Sequence, residues 1–258
     1  MNSTRLSEAD IARYFEQGYL LLPGLITSDS LARYDKRFIA FAKAKLKPPP
    51  QMKIMRDIMI VKGAVQPETP LHAINKMISF EDDPELYDYV LEPELLDAVR
   101  SLLGDDIYSL STNVFNKPPG IDGRHPLHQD LRYFRIRPAE KIVGVWTAIL
   151  PATRETGCLA VIPGSHTGGL LEHAEPDWEY VNHAFFGIQN IDLGKREHIE
   201  MKPGDTLLFH PLLIHGSGRN HSQSFRRAIS VHYAAADCDS PVRDWKQGKQ
   251  VRHISRKI

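Results

Sequence analysis

Leu127-His128-Gln129-Asp130-Leu131 lies within a run, Leu127 to Phe134, whose texture is that of a strand. Successive side chains of a strand alternate faces, so His128 and Asp130 share one. If that face is interior, an unpaired carboxylate there costs several kcal/mol, and a metal cation removes much of the cost. Four further stretches have the same texture: Ile107 to Phe115, Ile142 to Leu150, Thr206 to His210 and Arg226 to Ala235. Gly157, Pro163-Gly164 and Pro203-Gly204-Asp205 supply turns between such runs. Short apolar runs separated by turn residues predict a mainly β protein: a double-stranded β-helix, or cupin-like jelly roll, with flanking α-helices placed mostly N-terminally.

Upstream the pattern is helical. Ser7 followed by Asp10 is a helix start, the spacing continues to Gln17, and Gly18 is placed as the stop. Tyr19 to Leu22 reads as a strand, Asp29 to about Lys45 as a second helix broken before Pro48-Pro49-Pro50, and Pro93 to Leu103 as a third. The expected organisation is one domain over 1–258, with a mainly helical part at 1–105, the jelly-roll core at 106–238 and a tail at 239–258.

A chain of 258 residues can bury a sizeable core, and 42% hydrophobic residues is ordinary for a globular protein. Its formal net charge of zero gives no electrostatic reason to expect nucleic acid or an anionic membrane as partner. Cys158 and Cys238 are too few for a disulfide framework, which fits a reducing compartment. No segment approaches the roughly 18 apolar residues of a membrane span, and Met1 to Asp10 lacks an apolar run after a basic start. Ser255-Arg256-Lys257-Ile258 does not spell the Ser-Lys-Leu import address, so the expected location is the cytoplasm.

A His-x-Asp triplet needs a distant partner to become a site. His215 ends an apolar run beside Gly216-Ser217-Gly218, and with His128 and Asp130 it completes two histidines and one carboxylate, the facial triad of non-haem iron(II) oxygenases. Three ligands leave room for a 2-oxo acid and dioxygen. In the run from Arg226 to Ala235, Arg226, Ala228 and Ser230 share one face; an arginine flanked by small side chains there can hold a ligand carboxylate bidentately.

The chain has twelve histidines, so rivals must be weighed. His210 is the leading alternative ligand, His125 reads as a loop residue or one supporting a ligand, and His232 as a satisfied core histidine on the Arg226 face. Arg227 falls on the opposite face, with Ile229, Val231 and Tyr233, and reads as packed or solvated. Gln129 points away from the face shared by His128 and Asp130 and reads as a residue supporting a ligand or as structural. The glycines near Gly164 and Gly194 fit neither the Walker nor the dinucleotide spacing, and no His-Glu-x-x-His or Cys-x-x-Cys pair is present.

Longer stretches then add a resemblance. Met55-Arg56-Asp57, Asn116-Lys117-Pro118-Pro119, Arg124 through Asp130, Trp146-Thr147-Ala148 and the run from His210 through Phe225-Arg226 to Ala236-Asp237-Cys238 resemble the phytanoyl-CoA dioxygenase (PhyH) family of iron(II) and 2-oxoglutarate dioxygenases. The resemblance implies His128, Asp130 and His215 as Fe(2+) ligands, Arg226 as the 2-oxoglutarate carboxylate clamp, Ser217 as its hydroxyl partner, and Lys76 and Trp146 near the co-substrate. It implies hydroxylation at C2 of a fatty acyl-CoA such as phytanoyl-CoA, with release of succinate and carbon dioxide. A carboxylate at Asp130 favours hydroxylation over halogenation, since related halogenases carry a small residue there. The loop between Pro119 and His125 looks shorter than in the animal enzymes, which keeps a free acid, an amino acid derivative or a natural product as the alternative substrate. A metal-binding jelly roll without catalysis is the reading from another class.

Overall fold

The computed structural model describes residues 5–182, 184–241 and 244–255. The targeting readings fall partly on residues 1–4 and 256–258, which lie outside the described residues. Ser7 caps helix α1 (Glu8–Gln17) through a complete capping box with Asp10, and Gly18 ends it in the left-handed region at φ 81°. A Cβ at Gly18 would come within 2.5 Å of the His166 ring, so glycine is required on two counts. Strand β1 (Tyr19–Leu22) follows, then α2 (Ser28–Ala42), capped by Thr27. Helix α2 stops three residues before the expected Lys45, where Ala44 takes a positive φ.

The first 105 residues hold more strand than their composition suggests. Strands β2 (Lys53–Arg56) and β3 (Ile74–Ile78) flank the short helix α3 (Ile58–Val61), and α4 (Pro84–Tyr87) and α5 (Pro93–Leu103) come next. The remaining strands are β4 (Ile107–Lys117), β5 (His125–His128), β6 (Ile142–Ala148), β7 (Leu159–Val161), β8 (Glu197–Ile199), β9 (Thr206–Phe209), β10 (His215–Ser217), β11 (Arg226–Ala235) and β12 (Arg252–Ile254). Eight strands form one antiparallel sheet in the order β1-β9-β6-β11-β4-β3-β2, with β12 also on β4; the other four form a second in the order β5-β10-β7-β8.

Alternation along the central strands assigns the two faces of the large sheet. Ile229, Val231 and Tyr233 of β11, Val114 of β4 and Val143 and Val145 of β6 pack against the helices, including Tyr34, Phe38, Tyr89, Leu95 and Val99. On the other face Trp146, Ala148 and Ala228 meet Leu159, Val161 and Ile199 of the small sheet, so the two sheets pack face to face as a jelly roll. Arg227, on the helix side, is paired with Asp35 and donates to Asn116 Oδ1 at 3.2 and 3.1 Å. It is the packed arginine that alternation predicts. No helix among the described residues is long and apolar enough to cross a membrane.

Candidate active site

The pocket lies between the sheets. All seven residues singled out from the sequence line it together: Lys76, His128, Asp130, Trp146, His215, Ser217 and Arg226 surround a cavity of about 280 Å³. Such a volume suits a small ligand.

His128 and His215 are cross-strand partners in β5 and β10. Gly216 allows the close approach of these strands, since a Cβ there would lie 2.8 Å from the His125 carbonyl oxygen. Strand β5 ends at His128, and Asp130 opens a 3₁₀ turn over Asp130–Tyr133. His128 and Asp130 therefore converge through a turn rather than by strand alternation. Gln129 drives that turn: its buried amide donates to the Gly169 and Leu212 carbonyls and accepts from Leu171 N–H, and Leu131 N–H bonds Pro211 O.

The hydrogen bonds decide what the cluster can hold. His128 Nδ1 lies 2.8 Å from Pro126 O and His215 Nδ1 3.0 Å from Leu213 O; a carbonyl only accepts, so both Nδ1 atoms carry the proton. In the neutral form each ring turns a bare Nε2 lone pair toward Asp130, at 3.1 Å for His128 and 3.7 Å for His215. Three acceptors converge with no donor between them, their ligand atoms within 4.8 Å of one another. A cation resolves that conflict, and two imidazoles with a carboxylate are suited to iron(II). Burial lowers the His215 pKa to about 4, keeping the ring neutral. Burial pushes the Asp130 pKa up, but the surrounding histidines, among them His232, which donates to it, outweigh burial and hold the carboxylate well below its usual range.

His232 belongs to this cluster from outside the acceptor set. Its Nε2 donates to Asp130 Oδ2 at 2.7 Å, while Nδ1 lies 3.1 Å from Ser111 Oγ. The core-histidine reading of this residue holds only in part: it is satisfied, and what satisfies it is Asp130. His125 stacks between His128 and Phe185, at centroid distances of 4.1 and 4.0 Å. His210 instead packs against His166 and accepts from Leu212 N–H, away from the cluster.

Arg226 is 3% exposed on the pocket face of β11, with its guanidinium carbon 5.4 Å from the centre of the Trp146 ring. Its Nε has no hydrogen-bond partner among the described residues, and NH2 lies 3.5 Å from Ser217 Oγ. A buried guanidinium with an unused donor fits a ligand carboxylate. Burial lowers its pKa to about 10, which leaves it charged at neutral pH. Lys76, from β3, stands over Phe115 and Phe185, and burial lowers its pKa despite the attraction of Asp130.

Phe185, which lines the pocket, donates its N–H to Asn182 O at 3.2 Å, and Asn182 is held in turn by a buried tie. Asp57, 1% exposed, accepts from Met59 N–H, from Asn75 Nδ2 and from Asn182 Nδ2, while Asn182 Oδ1 accepts from Ile58 N–H. Asn182→Ala should cost roughly 1–3 kcal/mol by leaving that carboxylate and the Ile58 amide short of partners. Urea denaturation of wild type and variant measures it; unchanged stability contradicts the tie.

The fold and the His–Asp–His cluster define a jelly-roll protein with three residues placed so that they could hold a metal ion. A family model described as phytanoyl-CoA dioxygenase (PhyH) matches residues 14–228. A Caenorhabditis elegans protein named probable phytanoyl-CoA dioxygenase is 44% identical over 238 residues, covering 89% of this chain and 76% of its own length. Peroxisomal phytanoyl-CoA dioxygenase of Homo sapiens is 43% identical over 230 residues, covering 87% and 67%. The chain belongs to the phytanoyl-CoA dioxygenase family. Among solved structures, EvdO2 from Micromonospora carbonacea var. aurantiaca superposes with a TM-score of 0.70 at 19% identity, covering 92% of this chain and 94% of that one. The carbocyclase SnoK from nogalamycin biosynthesis gives 0.69 at 18% identity, covering 99% of each. At these identities the likeness shows the fold.

Proposed function

We propose that this chain, acting as one catalytic unit, is an iron(II)- and 2-oxoglutarate-dependent hydroxylase of C2 of a fatty acyl-CoA ester. The observation that carries the reading is the convergence of three acceptors beside a buried arginine with an unused donor. In this reading His128, Asp130 and His215 hold iron(II), and Arg226 with Ser217 holds the distal carboxylate of 2-oxoglutarate. Trp146 forms the wall beneath it and Lys76 adds a positive charge near the iron ligands. With iron(II) bound, the site supplies dioxygen activation coupled to decarboxylation of 2-oxoglutarate to succinate and carbon dioxide and to hydroxylation of a substrate C–H bond. The Pro126 and Leu213 carbonyls keep both histidines in the ligating tautomer, and His232 orients the carboxylate. Phe185, Phe209 and Phe134 line the cavity and limit water.

The substrate reading draws on the relatives' names and on one surface feature. A groove of about 810 Å³ carries Arg124, Arg154, Arg196 and Arg219 and shares His125, Gly216 and Ser217 with the pocket lining. Arg124 and Arg219 are occupied by Asp122, while Arg154 and Arg196 have no carboxylate within ion-pair distance among the described residues. These two supply cations for CoA phosphates. Arg154→Glu with Arg196→Glu should raise KM for an acyl-CoA about tenfold or more, each lost charge-assisted contact being worth roughly 1.5–3 kcal/mol. KM for the matching N-acetylcysteamine thioester should stay unchanged; equal effects on both esters contradict the assignment. Arg132, in contrast, stacks on Phe186 at 4.3 Å, and Arg137 donates to the Phe134 and Ile136 carbonyls.

The cytoplasm is the proposed location; the human and mouse relatives are named peroxisomal, and imaging of the tagged chain decides between the two. Succinate release with a panel of CoA esters and free acids tests the substrate reading.

A further inference from the structure

We propose that Lys117 is a second cation of the carboxylate subsite, a positioning residue that favours a 2-oxo acid bearing a distal carboxylate. The inference rests on the 2-oxoglutarate reading above and goes beyond it in the residue it adds.

Lys117 ends β4 directly opposite Arg226 of β11. Residues paired across antiparallel strands point to the same face, and like charges so placed repel. Both side chains are 3% exposed, and neither has a carboxylate within ion-pair distance among the described residues. The opposite face of the same strand shows the usual remedy: Arg227, next in sequence, is met by the Asp35 carboxylate. On the pocket face two buried cations meet across one hydroxyl instead. Lys117 Nζ donates to Ser217 Oγ at 2.9 Å and to the Gly218 carbonyl, and Arg226 NH2 approaches the same hydroxyl at 3.5 Å.

The missing charge is an anion, and the geometry says where it goes. Lys117, Ser217 and Arg226 line a small cavity that shares Phe115, His125 and Phe185 with the main pocket. With Lys117 donating into the Ser217 oxygen, the serine proton is left to donate to a ligand carboxylate. Lys117 therefore acts through Ser217 as well as through its charge. Burial, and next the Arg226 charge, hold its pKa well below the ordinary lysine range, a cost that a bound carboxylate offsets.

The test uses Lys117→Met, with Lys117→Gln as a second neutral variant should the first fold poorly. Calorimetric titration of the anaerobic iron(II) protein with 2-oxoglutarate gives Kd, and thermal unfolding of the metal-free, ligand-free protein gives Tm. The expected result is a Kd and a KM for 2-oxoglutarate raised at least tenfold, kcat at saturation within about twofold, and a Tm equal to or above wild type, because one repulsion is gone. An unchanged Kd, or a fall in Tm, overturns the proposal by making Lys117 a structural donor. Wild type that binds 2-oxoglutarate while the variant binds it equally leaves the functional reading standing. Wild type that does not bind it removes both.

Discussion

Asp130→Ala is expected to abolish iron binding and succinate formation while leaving the fold intact. Only two of the three converging ligand groups remain, both imidazoles, and the sole carboxylate among the three is lost. The variant also strands the His232 Nε2–H, whose acceptor is the Asp130 carboxylate at 2.7 Å. That loss should cost the metal-free protein no more than roughly 1–3 kcal/mol. Iron content after anaerobic reconstitution and the circular dichroism spectrum measure the two halves separately. Stoichiometric iron and wild-type turnover in the variant would refute the ligand set.

Arg226→Met should chiefly raise the 2-oxoglutarate requirement. Loss of a charge-assisted contact worth roughly 1.5–3 kcal/mol corresponds to roughly a ten- to hundredfold rise in KM. Methionine keeps the volume above Trp146 while removing the fork, so kcat at saturating co-substrate should fall far less. Stability should not drop, because among the described residues the guanidinium has no carboxylate partner to lose and its Nε has none to leave behind. A variant with unchanged KM would place the carboxylate elsewhere in the pocket.

How much of this was legible depended on the length of each element. Strand β11 runs for ten buried residues, long enough for alternation to separate Arg226, Ala228 and Ser230 from Arg227, Ile229, Val231 and Tyr233. The caps of α1 are local chemistry and need no tertiary information. Strands β7, β8 and β10 have three residues each, too few for a period of two to stand out, and β10 is His215-Gly216-Ser217, whose glycine carries no strand signal. β2 and β3 were hidden because they are defined by pairing with strands distant in sequence, β2 on β3 and β3 on β4.

The same distinction governs the site. His128 and Asp130 were recognisable as a pair, yet what brings them together is the turn that Gln129 pins to Gly169 and Leu212, contacts distant in sequence. Lys117 was missed because the apolar run from Ile107 ends at Phe115, two residues short of it. Continuing the alternation of Asn113 and Phe115 would have reached it, but its position opposite Arg226 is a fact of register. His232 was placed on the right face; its bond to Asp130 depends on the turn.

Succinate formation from 2-oxoglutarate by anaerobically iron-loaded protein, after admission of oxygen, tests the central reading most directly. The expected result is iron-dependent succinate release stimulated by fatty acyl-CoA esters and absent in Asp130→Ala. Iron and 2-oxoglutarate shown to be bound, with no succinate formed alone or with any ester or free acid, would contradict it and leave a metal-binding jelly roll without catalysis.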